Sequence, residues 1–512
     1  MERVPSHPVL TCAEARAWEK ARLTDDSLEW SAMQEAGAKV ALSVLDDYKE
    51  IGGLPLHGRI LVLAGKGHNG GDALLAARAI LYERPDTKAV VVLAFGAGEL
   101  RPLAGRALDW LREQAPARVQ ILSAEDALAA GQEYVLCLDG IFGFQFRAPM
   151  DAAIARLILQ VNAHPGIRFR AAVDLPSGIG ETSVATCFHA DFTYATGSVK
   201  YPALLPRHAA VVGRLRYVDI GLLREDSAPD ATERILIESL LKPLAELRAS
   251  QSDKRTYGHL LVVGGSHSYP GAVVLAARAA LRSGAGLVTA FVPEKYAPEY
   301  AARHPEVMWV GCPVTAPGGL AAGTAERVRA RSAKATALLI GPGLGADPET
   351  LDGIQEIVRN TNIPLVLDAD ALRPEVVARV RDKIFIGTPH AGEFERIAPA
   401  LFTDGNFTAP QGVLVLKGPL TRVTDGKTIY HSPFGGPVLA RGGSGDLLAG
   451  LIGGLLAQSP AQPGHAACRG VVWHGRAADL LARAYGQVTV EISEILEQLG
   501  PALQPTPWQT LP

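Results

Sequence analysis

The sequence predicts an α/β protein with two domains, each a mainly parallel sheet covered by helices. In both halves of the chain, apolar runs of strand length alternate with helical patterns, which is typical of sheets sandwiched between helices. The length of 512 residues exceeds one ordinary core, and about 150 residues per domain suggests two or three domains. A short polar segment with a proline, 224–230, predicts a linker. We therefore place the domains at residues 1–225 and 226–512.

Composition and charge disfavour several classes of partner. Apolar residues make up 48% of the chain, which is enough for large buried cores. The formal net charge is only -3, from 50 basic and 53 acidic residues. A nearly neutral chain has no electrostatic reason to bind nucleic acid or an anionic membrane. We expect small-molecule partners, no nucleic acid, no membrane, and a homo-oligomer whose number of subunits stays open.

Cysteine usage and the lack of long apolar segments predict a soluble, cytoplasmic protein. The cysteines are widely separated and form no CxxC pair, as expected of reduced thiols packed like small apolar residues. The N-terminus lacks the apolar core of a signal peptide. No apolar run reaches the roughly 18 residues that a membrane-spanning helix needs. The five cysteines are Cys12, Cys137, Cys187, Cys312 and Cys468.

A glycine-rich loop stands out in the first half. The apolar strand 59–64 leads into the loop 65–72, and a helix is predicted over about 72–82. Strand, glycine loop and helix in this order form the phosphate-binding unit of doubly wound folds. The loop also matches the dinucleotide fingerprint GxGxxG, but the next strand, 89–95, has no acidic residue at its end. A hydride-transferring dehydrogenase is therefore disfavoured.

Polar residues follow further strands of this half. Asp139 ends one apolar strand and Asp174 ends the next, shortly before Ser177. The carboxyl ends of parallel strands line the ligand crevice of an open sheet, so these residues could converge with Asn69 and Asp72 on one site. Each of them taken alone is more simply explained as a turn former. Their common position at strand ends favours a shared site.

These motifs resemble those of the NAD(P)H-hydrate epimerase domain. The resembling segments are 33–37, 68–72, Asp139 with Gly143, and 174–178. The resemblance implies a Rossmann-like α/β/α layer, a bound K⁺ ion, and Asp174 as the acid/base. The implied K⁺ ligands are Asn69, Asp139 and Ser177. The residues implied to hold the hydrated nicotinamide nucleotide are His68, Asn69, Gly70, Gly71, Asp72, Gly143, Phe144, Gln145, Phe146, Arg147, Ala148, Pro149 and Asp174.

The chemistry of the hydrate agrees with a carboxyl group at this site. The hydrate is a cyclic hemiaminal whose hydroxyl-bearing carbon epimerises by losing and regaining oxygen, so one carboxyl that gives and takes a proton suffices. This chain departs from the family pattern at His68, where a second Asn is typical, and at Ala73, where Gly is typical. It also departs at 143–146, where the family has GTGL. A non-catalytic nucleotide-binding or partner-binding role of this half stays open as an alternative.

The second half repeats the alternation of strands and helices. The apolar strand His259–Val263 leads through the loop 264–271 into a helix of small residues, 272–282. This alternation favours a parallel sheet between helices. Further strands are predicted at 287–292, 337–340, 364–367, 383–386 and 413–416.

Several strand ends of the second half carry residues suited to a nucleotide. Glycines at 341–345 allow a ligand to approach the backbone closely. Asp368 and Asp370 follow an apolar strand, which is a common position for acids that bind the metal ion of a metal–phosphate complex. Lys417 places a cation beside a glycine turn. Taken alone, Asp368 could cap a helix, Lys417 could be solvated, and His390 could be a helix-start residue. The motif GxxxxGK[ST] is absent, so this is not a P-loop enzyme.

The segment 442–446 is the predicted phosphate site. Its glycines allow a tight fold with converging N–H groups, and the apolar run 447–452 behind them predicts a buried helix. Such a helix N-terminus binds phosphate. Asp446 would repel an anion there, which favours a base that removes a proton from the phosphate acceptor. The alternative is an acid that is favoured only by the helix dipole.

The second half resembles the ADP-dependent NAD(P)H-hydrate dehydratases, which have a ribokinase-like α/β/α layer, over roughly 254–475. The resembling segments are 261–266, Tyr269 with 271–272, 341–345, 389–393, 417–421 and 442–446. The resemblance implies ADP as co-substrate, Mg²⁺, and Asp446 as the catalytic base. The residues implied to contact the hydrate are Ala272, Gly343, His390 and Asp446. The implied nucleotide-binding residues are Lys417, Gly418, Pro419, Leu420, Thr421, Gly442, Gly443, Ser444 and Gly445.

Together the two resemblances predict a bifunctional enzyme that repairs hydrated NADH and NADPH. The first half would interconvert the R and S epimers. The second half would dehydrate the S epimer at the expense of ADP, giving AMP and phosphate. A ribokinase-like kinase that uses ATP on a small molecule is the alternative, which the attached first half disfavours. The preference for NADH or NADPH stays open.

Overall fold

The computed structural model describes residues 4–223 and 229–504, which belong to two compact units. The N-terminal unit contains His7–Ala231 and Ala482–Gln487. The C-terminal unit contains Thr232–Leu481 and Val488–Pro505, together with the residues before His7. Most of the predicted linker, 224–228, and the predicted boundary at residues 225 and 226 lie outside the described residues.

The N-terminal unit alternates strands and helices, as expected from its apolar pattern. Its longest helix, α2, begins after Asp25, whose side chain accepts hydrogen bonds from the backbone N–H groups of Ser27 and Leu28. The strands are β1 (Ser6–Leu10), β2 (Arg59–Ala64), β3 (Lys88–Leu93), β4 (Val119–Ile121), β5 (Leu136–Gly140), β6 (Arg170–Val173), β7 (Phe192–Thr196), β8 (Val199–Lys200) and β9 (Arg214–Val218). The helices are α1 (Cys12–Arg22), α2 (Asp26–Tyr48), α3 (His68–Glu83), α4 (Pro102–Gln114), α5 (Ala124–Ala127), α6 (Ala152–Ala163) and α7 (Ala209–Val212).

A parallel sheet with two buried faces forms the centre of this unit. Its strands run in the order β4-β3-β2-β5-β6-β7-β9, and each neighbouring pair is parallel. Successive residues of a strand point to opposite faces, so both faces bury apolar side chains. In β2, Ile60 and Val62 join the core with α2 and α3, while Leu61 and Leu63 join the core with α6. This layering confirms the predicted α/β/α class.

The C-terminal unit is built in the same way around a larger sheet. Its strands are β10 (Glu233–Leu236), β11 (His259–Val263), β12 (Leu287–Pro293), β13 (Met308–Cys312), β14 (Ala337–Ile340), β15 (Leu365–Leu367), β16 (Phe385–Gly387), β17 (Phe402–Thr403), β18 (Asn406–Phe407), β19 (Gly412–Leu416), β20 (Arg422–Thr424) and β21 (Ile429–His431). Its helices are α8 (Pro270–Arg282), α9 (Ala297–Arg303), α10 (Gly323–Ser332), α11 (Pro348–Asn360), α12 (Pro374–Val377), α13 (Ala391–Leu401), α14 (Ser444–Gln458), α15 (Pro463–Tyr485) and α16 (Ile495–Gln498).

The sheet of this unit is only partly parallel. Strands β13-β12-β11-β14-β15-β16-β19 are parallel neighbours, as predicted. Beyond them, β19, β20 and β21 pair antiparallel, which the sequence pattern did not predict. The physical reason is the connection 417–421, because a parallel crossover needs about a dozen residues or more and this turn is shorter.

Two helices begin earlier than predicted, and both changes concern the candidate sites. Helix α3 begins at His68 instead of about residue 72, so Asn69 and Asp72 lie within its first turns. Helix α14 begins at Ser444, after Gly443 with a φ of 89°, and Asp446 lies in its first turn. The left-handed backbone at Gly443 favours glycine. The predicted burial of this helix is confirmed, since Leu447–Ala457 are all buried.

Two predictions on composition can be compared directly with the structure. All five cysteines are buried free thiols, which confirms that they pack as small apolar residues. Within the described ranges, no helix has the length and apolar character needed to cross a bilayer.

Candidate functional site

In the N-terminal unit, close packing of glycines shapes the loop between β2 and α3. A Cβ atom on Gly70 would lie 2.1 Å from the carbonyl oxygen of Gly65, and one on Gly71 would lie 2.1 Å from Cε of Met33. Both distances are far below van der Waals contact. A side chain at Gly70 would push α3 away from the backbone of Gly65, while one at Gly71 would require the Met33 side chain of α2 to move. The two glycines therefore have a packing role that the resemblance alone did not indicate.

A cavity of about 410 Å³ opens beside this loop, a volume that suits a small ligand. Most of the predicted substrate-binding residues line it, although they come from three separate parts of the chain. The predicted residues in the lining are His68, Asn69, Asp72, Gly143, Phe144, Gln145, Phe146, Arg147, Pro149 and Asp174. Gly70, Gly71 and Ala148 are not among the lining residues. The cavity also contains side chains that were not predicted, among them Glu19, Glu29, Lys66 and Arg101.

Asp174 occupies a constrained position at the end of β6. Its φ of 66° is unusual for a residue other than glycine. Its Oδ2 accepts a hydrogen bond of 2.9 Å from the backbone N–H of Phe144, and its Oδ1 lies 2.5 Å from Nζ of Lys200. Both side chains of this ion pair are at most 5% exposed. Strained backbone of this kind is characteristic of functional sites.

Lys200 is a functional candidate that the sequence reasoning missed. It ends the short strand β8, which pairs with β1 so that Lys200 lies opposite Leu10. Its Nζ also donates to the carbonyl oxygen of Thr196 at 2.8 Å and lies 4.8 Å from the centre of the Phe144 ring. One signal could have found it, because a lysine flanked by small and apolar residues at 195–203 is unusual for a solvated side chain.

The three predicted K⁺ ligands form one hydrogen-bonded group. Asp139 accepts from the Ser177 hydroxyl at 2.7 Å and from the Ser177 backbone N–H at 2.8 Å. The backbone of Phe142 connects the group, since its N–H donates to the Ser177 hydroxyl and its carbonyl oxygen accepts from the Asn69 side chain, both at 2.9 Å. Burial raises the pKa of Asp139 to about 6, against the lowering effect of the Ser177 hydrogen bonds. No cationic side chain among the described residues pairs with this fully buried carboxyl.

Two further carboxyl groups of the cavity have raised pKa values. Burial raises the pKa of Asp72 well above its usual range, and Asp174 and Glu19 raise it further while Lys200 opposes them. Oδ1 of Asp72 has no hydrogen-bond partner in the described structure. Burial likewise raises the pKa of Glu19 to about 7. Proton exchange in this cavity is therefore accessible near neutral pH.

His68 lies close to a carboxylate of α2. Its Nε2 lies 3.1 Å from Oε2 of Glu29, and both side chains line the cavity. The imidazole is about half exposed. At the position where the family typically has Asn, this chain thus presents an imidazole ring close to a carboxylate of α2.

In the C-terminal unit, Asp446 lies at the start of α14 among several charged groups. Its pKa is raised to about 7, first by burial and then by Asp368 and Asp370, while Lys417 lowers it. A carboxyl group that titrates near neutral pH is suited to act as a general base. The simple helix-dipole explanation accounts for the position of this acid but not for the carboxylates placed around it.

Lys417 is held in place and is not a solvated surface residue. Its Nζ lies 3.0 Å from Oδ1 of Asp368, which is 2% exposed and also accepts from the Thr388 hydroxyl at 2.6 Å. It lies 3.9 Å from Glu393 as well. A Cβ on Gly445 would be 3.3 Å from the same Nζ, so the lysine reaches the start of α14. Asp368 makes no capping hydrogen bond, and the helix-cap explanation for it is wrong.

His390 caps α13 with its side chain. Its Nδ1 accepts from the backbone N–H groups of Gly392 and Glu393, and the Glu393 side chain accepts from the backbone N–H of His390. The helix-start interpretation of His390 is thus confirmed. The ring is nevertheless 61% exposed, and its backbone bridges to Lys417, so its Nε2 remains near the predicted site.

Two contacts join further predicted residues of this unit. A Cβ on Gly343, whose φ is 66°, would lie 2.9 Å from Cβ of Ala272, so these two hydrate-contact candidates are neighbours. In the same loop, the Gly345 N–H donates to Oδ2 of Asp370 at 2.9 Å. The predicted nucleotide loop, 417–421, forms the turn between β19 and β20. The structure thus connects the segments that the sequence analysis had selected separately.

Two family models match the chain, one in each unit. Residues 31–201 match the model described as YjeF-related protein N-terminus. Residues 260–500 match the model described as NAD(P)H-hydrate dehydratase. The first match covers the segments that contain Asn69, Asp139 and Asp174, and the second covers Lys417 and Asp446.

Curated relatives match over nearly the whole chain. The bifunctional NAD(P)H-hydrate repair enzyme Nnr of Moorella thermoacetica is 34% identical over 91% of this chain and 91% of its own length. The enzyme of the same name from Gloeobacter violaceus is 34% identical over 92% of this chain and 93% of its own length. That of Coxiella burnetii is 32% identical over 87% of this chain and 90% of its own length. These matches confirm the resemblance in both halves, and the chain belongs to the family of bifunctional NAD(P)H-hydrate repair enzymes.

Proposed function

We propose that the two units divide the repair of hydrated NADH and NADPH between Asp174 and Asp446. The N-terminal unit interconverts the R and S epimers of the hydrate. The C-terminal unit dehydrates the S epimer at the expense of ADP and yields the reduced nucleotide, AMP and phosphate. The observation that carries the proposal is the position of Asp446 in the first turn of α14, which Lys417 reaches, where burial raises the pKa of its carboxyl group to about 7.

The dehydration converts a poor leaving group into a good one. Asp446 takes the proton of the hydrate's hydroxyl group, whose oxygen attacks the terminal phosphorus of ADP as the bond to AMP breaks. The phosphorylated carbon then loses phosphate as the lone pair of the ring nitrogen moves in, and loss of a neighbouring ring proton completes the double bond. Hydroxide would leave far more slowly, so phosphoryl transfer here serves elimination.

The start of α14 is suited to receive the phosphoryl group. The backbone N–H groups of Gly445 and Asp446 have no partner among the described residues, as expected in the first turn of a helix. Such donors, aimed at developing negative charge, are worth on the order of a hundredfold each in rate. Lys417 adds a positive charge from the turn 417–421, and we propose that this turn and 442–445 hold the nucleotide.

The acidic side chains of the C-terminal site fit a bound Mg²⁺ ion. Asp370 uses Oδ2 to accept from Gly345, while its Oδ1 has no hydrogen bond in the described structure. No group of three or more His, Cys, Asp or Glu side chains able to hold a metal ion occurs in the described ranges. Mg²⁺ commonly uses one or two carboxylates with phosphate oxygens and water, so Asp370 and Asp368 would suffice. The ion would offset phosphate charge when bound.

The N-terminal site fits a bound K⁺ ion by the same test. Asp139 is completely buried, and no cationic side chain of the described residues neutralises it. Asn69 and Ser177 provide further oxygen atoms in the same hydrogen-bonded group. We propose that these three residues hold K⁺, whose charge would favour the ionised form of Asp139.

Epimerisation breaks and re-forms the carbon–oxygen bond of the hydroxyl-bearing carbon, with a proton given to and then taken from the oxygen. Asp174 protonates the departing oxygen, and the lone pair of the ring nitrogen stabilises the cation that remains. Water then attacks either face of this cation and returns a proton to Asp174. Lys200 holds the Asp174 carboxyl in position at 2.5 Å, and Phe144 N–H fixes its other oxygen.

The absorbance of NADH regained from its hydrate tests this function. The full chain is assayed with ADP, with ATP and with neither nucleotide. We expect NADH to form with ADP and AMP to accumulate in equal amount. A steady transfer of phosphate to an alcohol, with no NADH formed, would instead support the kinase alternative. The compartment and the number of subunits stay predictions.

A further inference from the structure

We infer that Glu19 is a second proton-transfer group of the epimerase cavity and acts together with Asp174 on the hydrated ring. The inference rests on the proposed epimerase function. No family motif named above includes Glu19.

Glu19 lies in the wall of the epimerase cavity. Helix α1 begins with a capping box, in which Thr11 accepts from the backbone N–H of Glu14 and the Glu14 side chain accepts from that of Thr11. From this helix the half-buried Glu19 side chain lines the same cavity as Asp174. Asp174 comes from the end of β6, so two carboxyl groups reach one cavity from independent elements.

The hydrogen bonding of the two carboxyl groups differs. Asp174 is occupied on both oxygens, by Lys200 and by the Phe144 backbone. The carboxyl of Glu19 has no hydrogen bond and no ion pair among the described residues. A carboxyl that stabilised the fold would be expected to have such partners. Glu19 is therefore free to exchange a proton with a ligand in the cavity.

Burial and the charged groups around Glu19 bring its pKa close to neutral pH. Burial raises its pKa to about 7, Lys200 lowers it, and Asp174 and Glu29 raise it further. Asp72 of α3 faces the same group, since Glu19 raises the pKa of Asp72 in turn. Near neutral pH both the acid and the base form of Glu19 are populated. Two carboxyl groups with different surroundings are the usual basis of an acid and base division.

The chemistry of epimerisation has a use for two such groups. In one direction, the first carboxyl gives its proton to the departing hydroxyl oxygen, and the carbon–oxygen bond breaks with its electron pair leaving as water. The ring nitrogen supplies the electrons for the resulting carbon–nitrogen double bond. Water then attacks the other face, the nitrogen regains its lone pair, and the second carboxyl takes the proton. The reverse direction exchanges the roles, and no other reactant is consumed.

The test compares Glu19→Gln with wild type in the full chain. With ADP omitted, chromatographic conversion of the R epimer of hydrated NADH into the S epimer measures the epimerase alone. With ADP and the S epimer, NADH absorbance measures the dehydratase of the same preparation. We expect Glu19→Gln to lower kcat of epimerisation by about 100-fold or more, with KM changed less than about twofold. Dehydration of the S epimer should stay at the wild-type rate.

Two further variants separate catalysis from structure. Glu83→Gln, exposed at the end of α3 and outside the cavity lining, is the control and should epimerise like wild type. Glu19→Asp keeps the carboxyl and should recover part of the lost kcat. The pH dependence of epimerisation should lose a limb near pH 7 in Glu19→Gln only.

The possible results distinguish the role of Glu19 from the epimerase function of the N-terminal unit. Epimerisation by Glu19→Gln at the rate of Glu83→Gln would overturn the inference and leave the epimerase function standing. A raised KM with unchanged kcat would also overturn it, because Glu19 would then only bind substrate. A wild-type protein that dehydrates the S epimer and shows no epimerisation would overturn the proposed function of the N-terminal unit itself.

Discussion

Asp174 in the N-terminal unit is ion-paired with buried Lys200 at 2.5 Å. In the C-terminal unit, burial and the carboxylates of Asp368 and Asp370 instead raise the pKa of Asp446. The cation beside Asp446 is Lys417, which is itself engaged by Asp368 at 3.0 Å. Asp174 thus has a cation as its nearest charged partner, while burial and the two carboxylates raise the pKa of Asp446. The difference matches the two reactions, since dehydration needs a base with an affinity for the hydroxyl proton, while epimerisation returns every proton it uses.

The largest expected effect comes from removing the base of the C-terminal unit. Asp446→Asn should abolish phosphate release, a loss of at least about 100-fold, because a general base is usually worth that much. Nucleotide binding, measured by calorimetry, should persist. The exposed Asp352→Asn is the control and should behave like wild type. Turnover of Asp446→Asn near the wild-type rate would remove Asp446 from the mechanism.

The matching change in the N-terminal unit should affect one epimer only. Asp174→Asn should leave dehydration of the S epimer intact and slow use of the R epimer by about 100-fold, since the proton donor is lost. NADH formation from each epimer is followed with ADP present. If the R epimer is still consumed faster than it epimerises spontaneously, Asp174 is not the acid/base of this unit.

Replacing Lys200 removes the cation of the ion pair with Asp174. Lys200→Met would leave the Asp174 carboxyl buried without its cation, which typically costs about 3–5 kcal/mol. We expect the free energy of unfolding, from denaturant titration of the full chain, to fall by that order. Lys49→Met, which removes a largely exposed pair with Asp46, should cost less than about 1 kcal/mol. Equal losses of unfolding free energy in Lys200→Met and Lys49→Met would show that burial does not determine how much the ion pair of Lys200 contributes to stability.

The smallest expected effect is the pH dependence of the dehydratase. Asp446 must be ionised to accept a proton, and its pKa is about 7, so activity should be lost as the pH falls. The kcat/KM for the S epimer should decline about tenfold per pH unit below 7 and level off above it. A profile that is flat through pH 7 would show that the surroundings of Asp446 do not control the reaction. Phosphate release at a series of pH values provides the measurement.

The fold class could be predicted because its signal is local. Strand-length apolar runs such as 59–64 and 259–263 were located from pattern alone, and both agree with β2 and β11. The glycine loops before α3 and α14 were found in the same way. Helix starts were placed up to a turn too late, because the N-terminal turns of these helices contain the polar and glycine residues that also mark loops.

The partners of the site residues could not be predicted from such patterns. Lys200 ends β8, which pairs with β1, whereas Asp174 follows β6. Their contact therefore depends on the fold bringing these separate chain segments together. The pairing of Asp368 with Lys417 joins residues 49 positions apart. Neither contact has a periodic signature, since each depends on which strand ends become neighbours in the sheet.

The sequence by itself determined the α/β class, the glycine loops before α3 and α14, and the acids after strands and at the start of α14. These follow from residue types whose effect is local, such as glycine at a positive φ and acids at strand ends or helix starts. The family resemblance then singled out Asp174 among the strand-end acids. The tertiary structure decided which charged groups surround each acid. It placed Lys200 against Asp174, two carboxylates around Asp446, and Glu19 in the epimerase cavity. The reason is physical, because pKa values depend on burial and on charges brought close by folding.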